Sequence, residues 1–146
     1  MNIFNELKDF AKDLTILIVE DDVLLNKELC TLANIFFAEV IVAYNGEEAL
    51  GIYQNRKIDI VLSDITMPHM NGLDLSRHIK MINSEQDIII LSAHNEVNCF
   101  IELIDIGVRQ FIHKPFNNEE FLYRLLKVCE QVTLTKFYES IEASKE

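Results

Sequence analysis

Basic residues are scarce in this chain: 13 Lys and Arg stand against 24 Asp and Glu, a formal net charge of -11. That shortage argues against direct binding to nucleic acid, which needs a basic face able to displace the counterions of a phosphate backbone. Cysteine is scarce as well. Cys30, Cys99 and Cys129 lie far apart in apolar segments, without CxxC or Cys/His spacing, so neither a disulfide framework nor a zinc site is expected. They read as buried free thiols in a reducing cytoplasm. No apolar run approaches the roughly 20 residues that a bilayer-spanning helix needs. The N-terminus interleaves Glu6, Lys8, Asp9, Lys12 and Asp13 with its apolar residues and has no signal-peptide core. No membrane association is expected, and a cytoplasmic location is, for this chain alone or within a longer one. Internal repeats and low-complexity tracts are missing too.

What is present is apolar patterning: 49% of the 146 residues are hydrophobic, enough for one domain with its own core. Residues 2–12 place Ile3, Phe4, Leu7 and Phe10 at helical spacing, a short amphipathic helix over an N-terminal extension of residues 1–13. Thr15 to Val19 is a β-branched strand, and Asp22 is placed to cap a helix from Val23 to Phe37 with Leu24/Leu25, Leu29, Leu32/Ala33 and Phe36 inward. Val40–Ala43 is a second strand, and a second helix follows the Asn45-Gly46 turn. The run from Ile58 to Leu62 is a third, fully buried strand, and Leu73–Ile82 a third helix with Leu75, Ile79 and Ile82 inward. Ile88–Leu91 is the fourth strand. A fourth helix covers about Glu96–Ile106, with Phe100, Leu103 and Ile104 on its core face and Gly107 closing it. Val108–Ile112 is the fifth strand, and Asn117 or Asn118 caps a fifth helix from Glu119 through Cys129. The residues after Gln131 form a helical tail or linker (131–146). Alternating strands and helices of this kind make an α/β fold: one doubly wound five-stranded parallel sheet with five helices, plus the short N-terminal helix, its main domain over 14–130.

The chain is organised around Ile58–Gly72, IDIVLSDITMPHMNG. A buried strand ends at Ser63-Asp64, placing a carboxylate at the edge where open parallel sheets bind ligands. The other strands end in Glu20-Asp21-Asp22, in Ser92 and in Lys114. Singly, an acid pair before a helix is usually a cap, and a strand-end lysine a solvated charge. Together they bring carboxylates, a hydroxyl and a lysine to one shallow site. Crowded carboxylates repel unless a cation joins them. Hard oxygen donors beside a phosphate suit Mg²⁺, while Lys114 and Ser92 can donate to phosphoryl oxygens. Asp64 is placed to act as a carboxylate nucleophile, forming an acyl phosphate.

VEDD (Val19–Asp22), SDITMPHMNG (Ser63–Gly72), LSA (Leu91–Ala93) and KPF (Lys114–Phe116) occur in the order found in receiver domains of two-component response regulators, which this chain resembles from about Leu14 to Glu130. The resemblance implies the flavodoxin-like sheet order 2-1-3-4-5. It implies that Asp64 is the phosphoacceptor, fed by the phosphohistidine of a sensor histidine kinase or a phosphotransfer protein. Asp21, Asp64, Glu20 (acting through water) and the Thr66 backbone carbonyl would hold Mg²⁺, for which Mn²⁺ could substitute. Ser92 is the switch hydroxyl that moves to the phosphoryl group, with which Lys114 also pairs, Phe111 is the switch aromatic, and Pro115 is a candidate for a preceding cis peptide bond. Thr66 and His94 occupy the two positions that tune the lifetime of the phosphate. The implied protein is a signalling switch and not an enzyme, beyond its own phosphoryl transfer and autodephosphorylation.

Two other readings of the architecture fit less well. A flavodoxin-like or dinucleotide-binding module cradles phosphate after its first strand, where this chain carries Glu20-Asp21-Asp22. A phosphatase of the haloacid-dehalogenase type wants a second Asp two residues after the nucleophile, where Thr66 stands. A degenerate receiver serving only as a docking module would have lost Asp64, Lys114 or the acids, and all are present. In the family, the signal leaves through the surface of the fourth helix, fifth strand and fifth helix. Val97 and Ile101 with Ile106 could form an apolar patch there for a homodimer or an output partner. An output domain further along a longer chain is the other expectation.

Overall fold

A computed structural model describes residues 2–93 and 97–145, without the side chain of Val97. His94 therefore lies outside the described residues, as does Glu96, where the fourth helix was expected to begin. The elements in chain order are α1 (Ile3–Ala11), β1 (Thr15–Val19), α2 (Val23–Phe36), β2 (Glu39–Ala43), α3 (Gly46–Asn55), β3 (Ile60–Asp64), α4 (Gly72–Ile82), β4 (Asp87–Ser92), α5 (Val97–Asp105), β5 (Gln110–His113) and α6 (Asn118–Ser144). The strands form one sheet in the order β2-β1-β3-β4-β5, and every neighbouring pair is parallel. This is the doubly wound, flavodoxin-like sheet expected from the sequence, with six helices about it among the described residues.

Strand periodicity divides the core in two. Ile16, Ile18, Ile60, Leu62, Ile89, Leu91 and Ile112 face a layer built by α1, α2 and α6. The alternate residues Leu17, Val19, Val61, Ile88 and Ile90 face α3, α4 and α5. The three central strands are therefore apolar on both sides, which is why they read as continuous runs in the sequence. Leu7 and Ala11 of α1 are fully buried in the first layer, so the N-terminal helix is part of the core. At the other end α6 runs unbroken for 27 residues, straight through the segment expected to be a tail or linker.

Several expected core positions face outward. Leu24, Ile82 and Ile104 are 74%, 53% and 59% exposed. Each sits beside the buried stripe of its helix: the neighbours Leu25 and Leu103, and Ile79 three residues earlier, make the inward contacts. A helix turns about 100° per residue, so one step along the chain leaves the stripe. Conversely Ile106 packs against the second core layer, so among the described side chains of α5 the exposed apolar pair is Ile101 with Ile104. Of the three free cysteines only Cys129 is buried; Cys30 and Cys99 are half-buried.

Candidate functional site

The carboxyl edge of the sheet gathers side chains from four strand ends. β3 ends at Asp64, buried on both faces until its last residue. The loop that follows is shaped by close backbone approach: a Cβ on Gly72 would stand 2.2 Å from the Asp64 carbonyl oxygen, and one on Gly46 2.5 Å from that of Met70. Both glycines open helices whose N-caps are asparagines, Asn71 accepting from the Asp74 amide at 2.8 Å and Asn45 from the Glu48 amide at 2.8 Å. The Asn45-Gly46 turn expected after β2 is where the chain reverses into α3, with Asn45 as the helix cap and Gly46 its first residue.

β1 delivers the acids. Glu20 is buried, Asp21 exposed and Asp64 buried, and each offers a carboxylate oxygen within 4.8 Å of the others. Asp22 caps α2, accepting from the Leu25 amide at 3.2 Å, while its own amide donates to Glu20 Oε2 at 3.1 Å. From β5, the Lys114 ammonium stands 3.1 Å from Glu20 Oε1 and 3.2 Å from Asp64 Oδ1. The Lys114–Pro115 peptide bond is cis, and Phe116 stacks on Phe121 at the start of α6. Thr66 follows in the loop after β3, exposed to solvent.

Charge is unbalanced here. Burial pushes the Glu20 carboxyl up to about 7, with Asp64 adding to the rise and the Asp22 amide and Lys114 opposing it. Burial also raises Asp64, and Lys114 only partly offsets it. Burial acts to lower Lys114, but the Asp64 and Glu20 carboxylates outweigh it and hold the ammonium above its ordinary value. Among the described residues one lysine, paired with Glu20 and Asp64, stands against three carboxylates. A hard divalent cation fits such a set: the donors are all oxygen, they converge, and their ionised forms lack sufficient positive charge.

The chain matches the family model described as response regulator receiver domain over residues 16–126. It belongs to that family. Receiver domains of this kind act in two-component signalling. The chemotaxis protein CheY of Thermotoga maritima is 42% identical over 88 residues, covering 60% of this chain and 73% of that protein. The transcriptional regulatory protein FlgR of Helicobacter pylori is 33% identical over 123 residues, 79% of this chain but 30% of FlgR. A response regulator receiver domain protein from Clostridium thermocellum has the same fold, with a TM-score of 0.76 at 26% identity over 84% of this chain and 98% of that one. This receiver thus spans most of the chemotaxis relative and under a third of the transcriptional one.

The remaining site residues named from the sequence lie on β4 and β5. Ser92 is fully buried, and its hydroxyl meets His113 Nδ1 at 3.3 Å. Phe111 is half-buried, with the edge of Phe100 against it at 5.1 Å between centroids. Sequence reasoning missed two residues. One is His113, which only strand register pairs with Ser92. The other is Asn26, buried, whose Nδ2 donates to the Glu20 carbonyl at 2.9 Å and the Ala43 carbonyl at 3.0 Å. Asn26 ties the acid loop to β2, and a signal for it existed: it falls on the buried stripe of α2 with Leu29, Ala33 and Phe36, where a polar residue needs a reason to be.

Proposed function

We propose that this receiver is a phosphorylation-activated switch in which Asp64 takes a phosphoryl group from the phosphohistidine of a sensor histidine kinase or phosphotransfer protein. A carboxylate oxygen of Asp64 attacks phosphorus, the P–N bond to the donor imidazole breaks, and an acyl phosphate remains on the receiver. Mg²⁺ held by Glu20, Asp21, Asp64 and the Thr66 carbonyl, with Mn²⁺ as a substitute, supplies the positive charge that offsets repulsion between these acids and the incoming phosphate. Lys114 donates to phosphoryl oxygens, exchanging its carboxylate partners for the new anion. Ser92 turns its hydroxyl toward the same group and Phe111 follows, which repacks the face of α5, β5 and α6. Thr66 and His94, by the family positions they occupy in the sequence, tune how fast the acyl phosphate is hydrolysed, so the chain's chemistry is confined to its own phosphorylation and dephosphorylation.

The repacked face addresses an output partner, an output domain or a second copy, and the exposed Ile101 and Ile104 of α5 supply apolar area for it. Residues 14–130 make the phosphorylated unit, flanked by the N-terminal helix of residues 1–13 and the helical segment of residues 131–146. The place of action is the cytoplasm, without membrane or nucleic-acid contact by this unit. Among the described residues no helix is long and apolar enough to cross a membrane.

A single observation carries this reading: three convergent carboxylates on one edge, with Lys114 bridging two of them. Intact mass after incubation with acetyl phosphate and Mg²⁺ tests it. A phosphoryl-sized adduct that disappears in Asp64→Asn and without metal is the expected result. No adduct, under conditions that label another receiver, overturns the reading in favour of a constitutive docking module.

A further inference from the structure

Ser92 and His113 are direct partners across the β4–β5 ladder, so their side chains leave the sheet on the same face. The backbones are held together there, the Lys114 amide donating to the Ser92 carbonyl at 2.7 Å. The Ser92 hydroxyl has no access to solvent, so it must find its hydrogen-bond partner inside the protein. His113 Nδ1 stands 3.3 Å from it. The imidazole is braced in turn by Phe100, whose ring meets His113 edge-on at 5.5 Å and Phe111 at 5.1 Å. Ser92, His113, Phe100 and Phe111 therefore form one cluster.

A serine hydroxyl has a single proton to donate. Phosphoryl oxygens only accept. A hydroxyl that donates to His113 Nδ1, with the imidazole proton on Nε2, has no proton left for a phosphate on Asp64. We propose that His113 is a positioning residue of the switch, a latch that holds the Ser92 hydroxyl in the unphosphorylated protein and must release it before Ser92 can bind the phosphoryl group. The Phe100 contact makes release of the imidazole and movement of Phe111 parts of one rearrangement. This inference rests on the reading of Asp64 as phosphoacceptor and of Ser92 as the hydroxyl that answers it.

Two substitutions separate the hydrogen bond from the packing. His113→Phe keeps an aromatic ring against Phe100 and removes the nitrogen. His113→Asn keeps a hydrogen-bonding atom near the place of Nδ1 and removes the ring. The full chain is titrated with beryllium trifluoride, a mimic of the acyl phosphate, in the presence of Mg²⁺, and binding is followed by fluorine NMR beside a thermal melt of each variant. His113→Phe is expected to bind the mimic roughly threefold to tenfold more tightly, the worth of one hydrogen bond no longer broken, while His113→Asn stays within about twofold of wild type by the same reasoning. Equal tightening in both variants, or no tightening in His113→Phe, overturns the latch. Wild-type protein that takes up no mimic sinks the phosphoacceptor reading and the latch with it, whereas uptake by wild type with His113→Phe unchanged sinks the latch alone. The hydrogen bond itself has a separate readout: Ser92→Ala shifts the nitrogen-15 resonance of His113 Nδ1 in the unliganded protein, and an unmoved resonance overturns the proposal whatever the affinities.

Discussion

The two edges of the sheet hold the same parts in different numbers. At the amino edge, Asp59 accepts the Thr15 amide on Oδ2 at 2.8 Å and the Lys136 ammonium on Oδ1 at 2.7 Å. Its own carbonyl takes a hydrogen bond from Gln86 Nε2 at 2.9 Å, and the Gln86 side-chain oxygen accepts the Tyr53 hydroxyl at 2.7 Å. Asp59 meets one ammonium, and Asp87 beside it, whose carboxyl burial raises, faces the Arg109 and Lys80 cations, so negative charge is not in surplus and the ensemble staples β1, β3 and α6 together. At the carboxyl edge, the side chain of Asp64 is equally hidden, 9% exposed as in Asp59, and it also meets a lysine. There the same lysine must serve Glu20 too, and Asp21 stands alongside. Burial by itself does not mark a working carboxylate. The surplus of negative charge over its partners does, because it is what a cation or a rearrangement can relieve.

Metal is the strongest way to sharpen that contrast. Mg²⁺ at a hundred times its dissociation constant should raise the stability of the wild-type protein by about 2.7 kcal/mol. Asp59→Ala should keep that gain, and Asp64→Asn should lose most of it, in urea melts with and without the ion. An equal gain in Asp64→Asn would mean the ion binds elsewhere. The pH dependence has a definite sign. Glu20 titrates near 7 in the folded protein against 4.5 for an ordinary glutamate, chiefly through burial, so the folded state holds its proton longer than the unfolded state does. Without metal, stability from this group is greatest below pH 4.5 and falls as pH rises toward about 7. Glu20→Gln should flatten that slope, and a slope left unchanged in the variant would place the titrating group elsewhere.

The amino edge should behave in the opposite way. Asp59→Ala strands the Thr15 amide and the Lys136 ammonium, a loss of about 1–3 kcal/mol, yet the phosphoryl adduct on Asp64 should form at an unchanged rate. A change in labelling rate larger than the change in stability would show that the two edges are coupled.

How much of this was legible in the sequence follows the same division. Asp64, Glu20, Asp21 and Lys114 stand directly after apolar runs, where chain order alone places them on one edge. Central strands buried on both faces give unambiguous runs, and both the element order and the sheet were readable from them. Asp59 sits one residue inside a run that reads as the start of a strand, and Lys136 lies in a stretch of weak periodicity, so nothing local ties them. Their contact exists because α6 continues past the sheet, which a pattern of Val132, Phe137 and Ile141 left open. Which helical leucine faces inward was also unreadable where two adjacent positions are apolar, as at Leu24 and Leu25, since both satisfy the same period. His113 needed the register between β4 and β5, which no single segment carries.

The smallest expected effect tests whether the staple holds the end of α6 in place. Lys136 is 44% exposed, so its attraction to Asp59 is screened, and an exposed pair of this kind is worth roughly 0–1 kcal/mol. Lys136→Met retains the aliphatic stem and removes the charge, while Asp59 keeps its hydrogen bond from Thr15. Global stability should therefore move by less than about 1 kcal/mol. The local consequence is larger in proportion. Beyond Val132 the helix buries no further side chain, and Phe137 and Tyr138 are each 60% exposed, so the Asp59 contact is one of the few tethers of the last three turns. Amide hydrogen exchange should accelerate over residues 136–144 in Lys136→Met and stay unchanged over 118–132. Uniform exchange along the whole helix would mean that α6 is held by its own hydrogen bonds alone, and the amino-edge pair would then be an incidental surface contact.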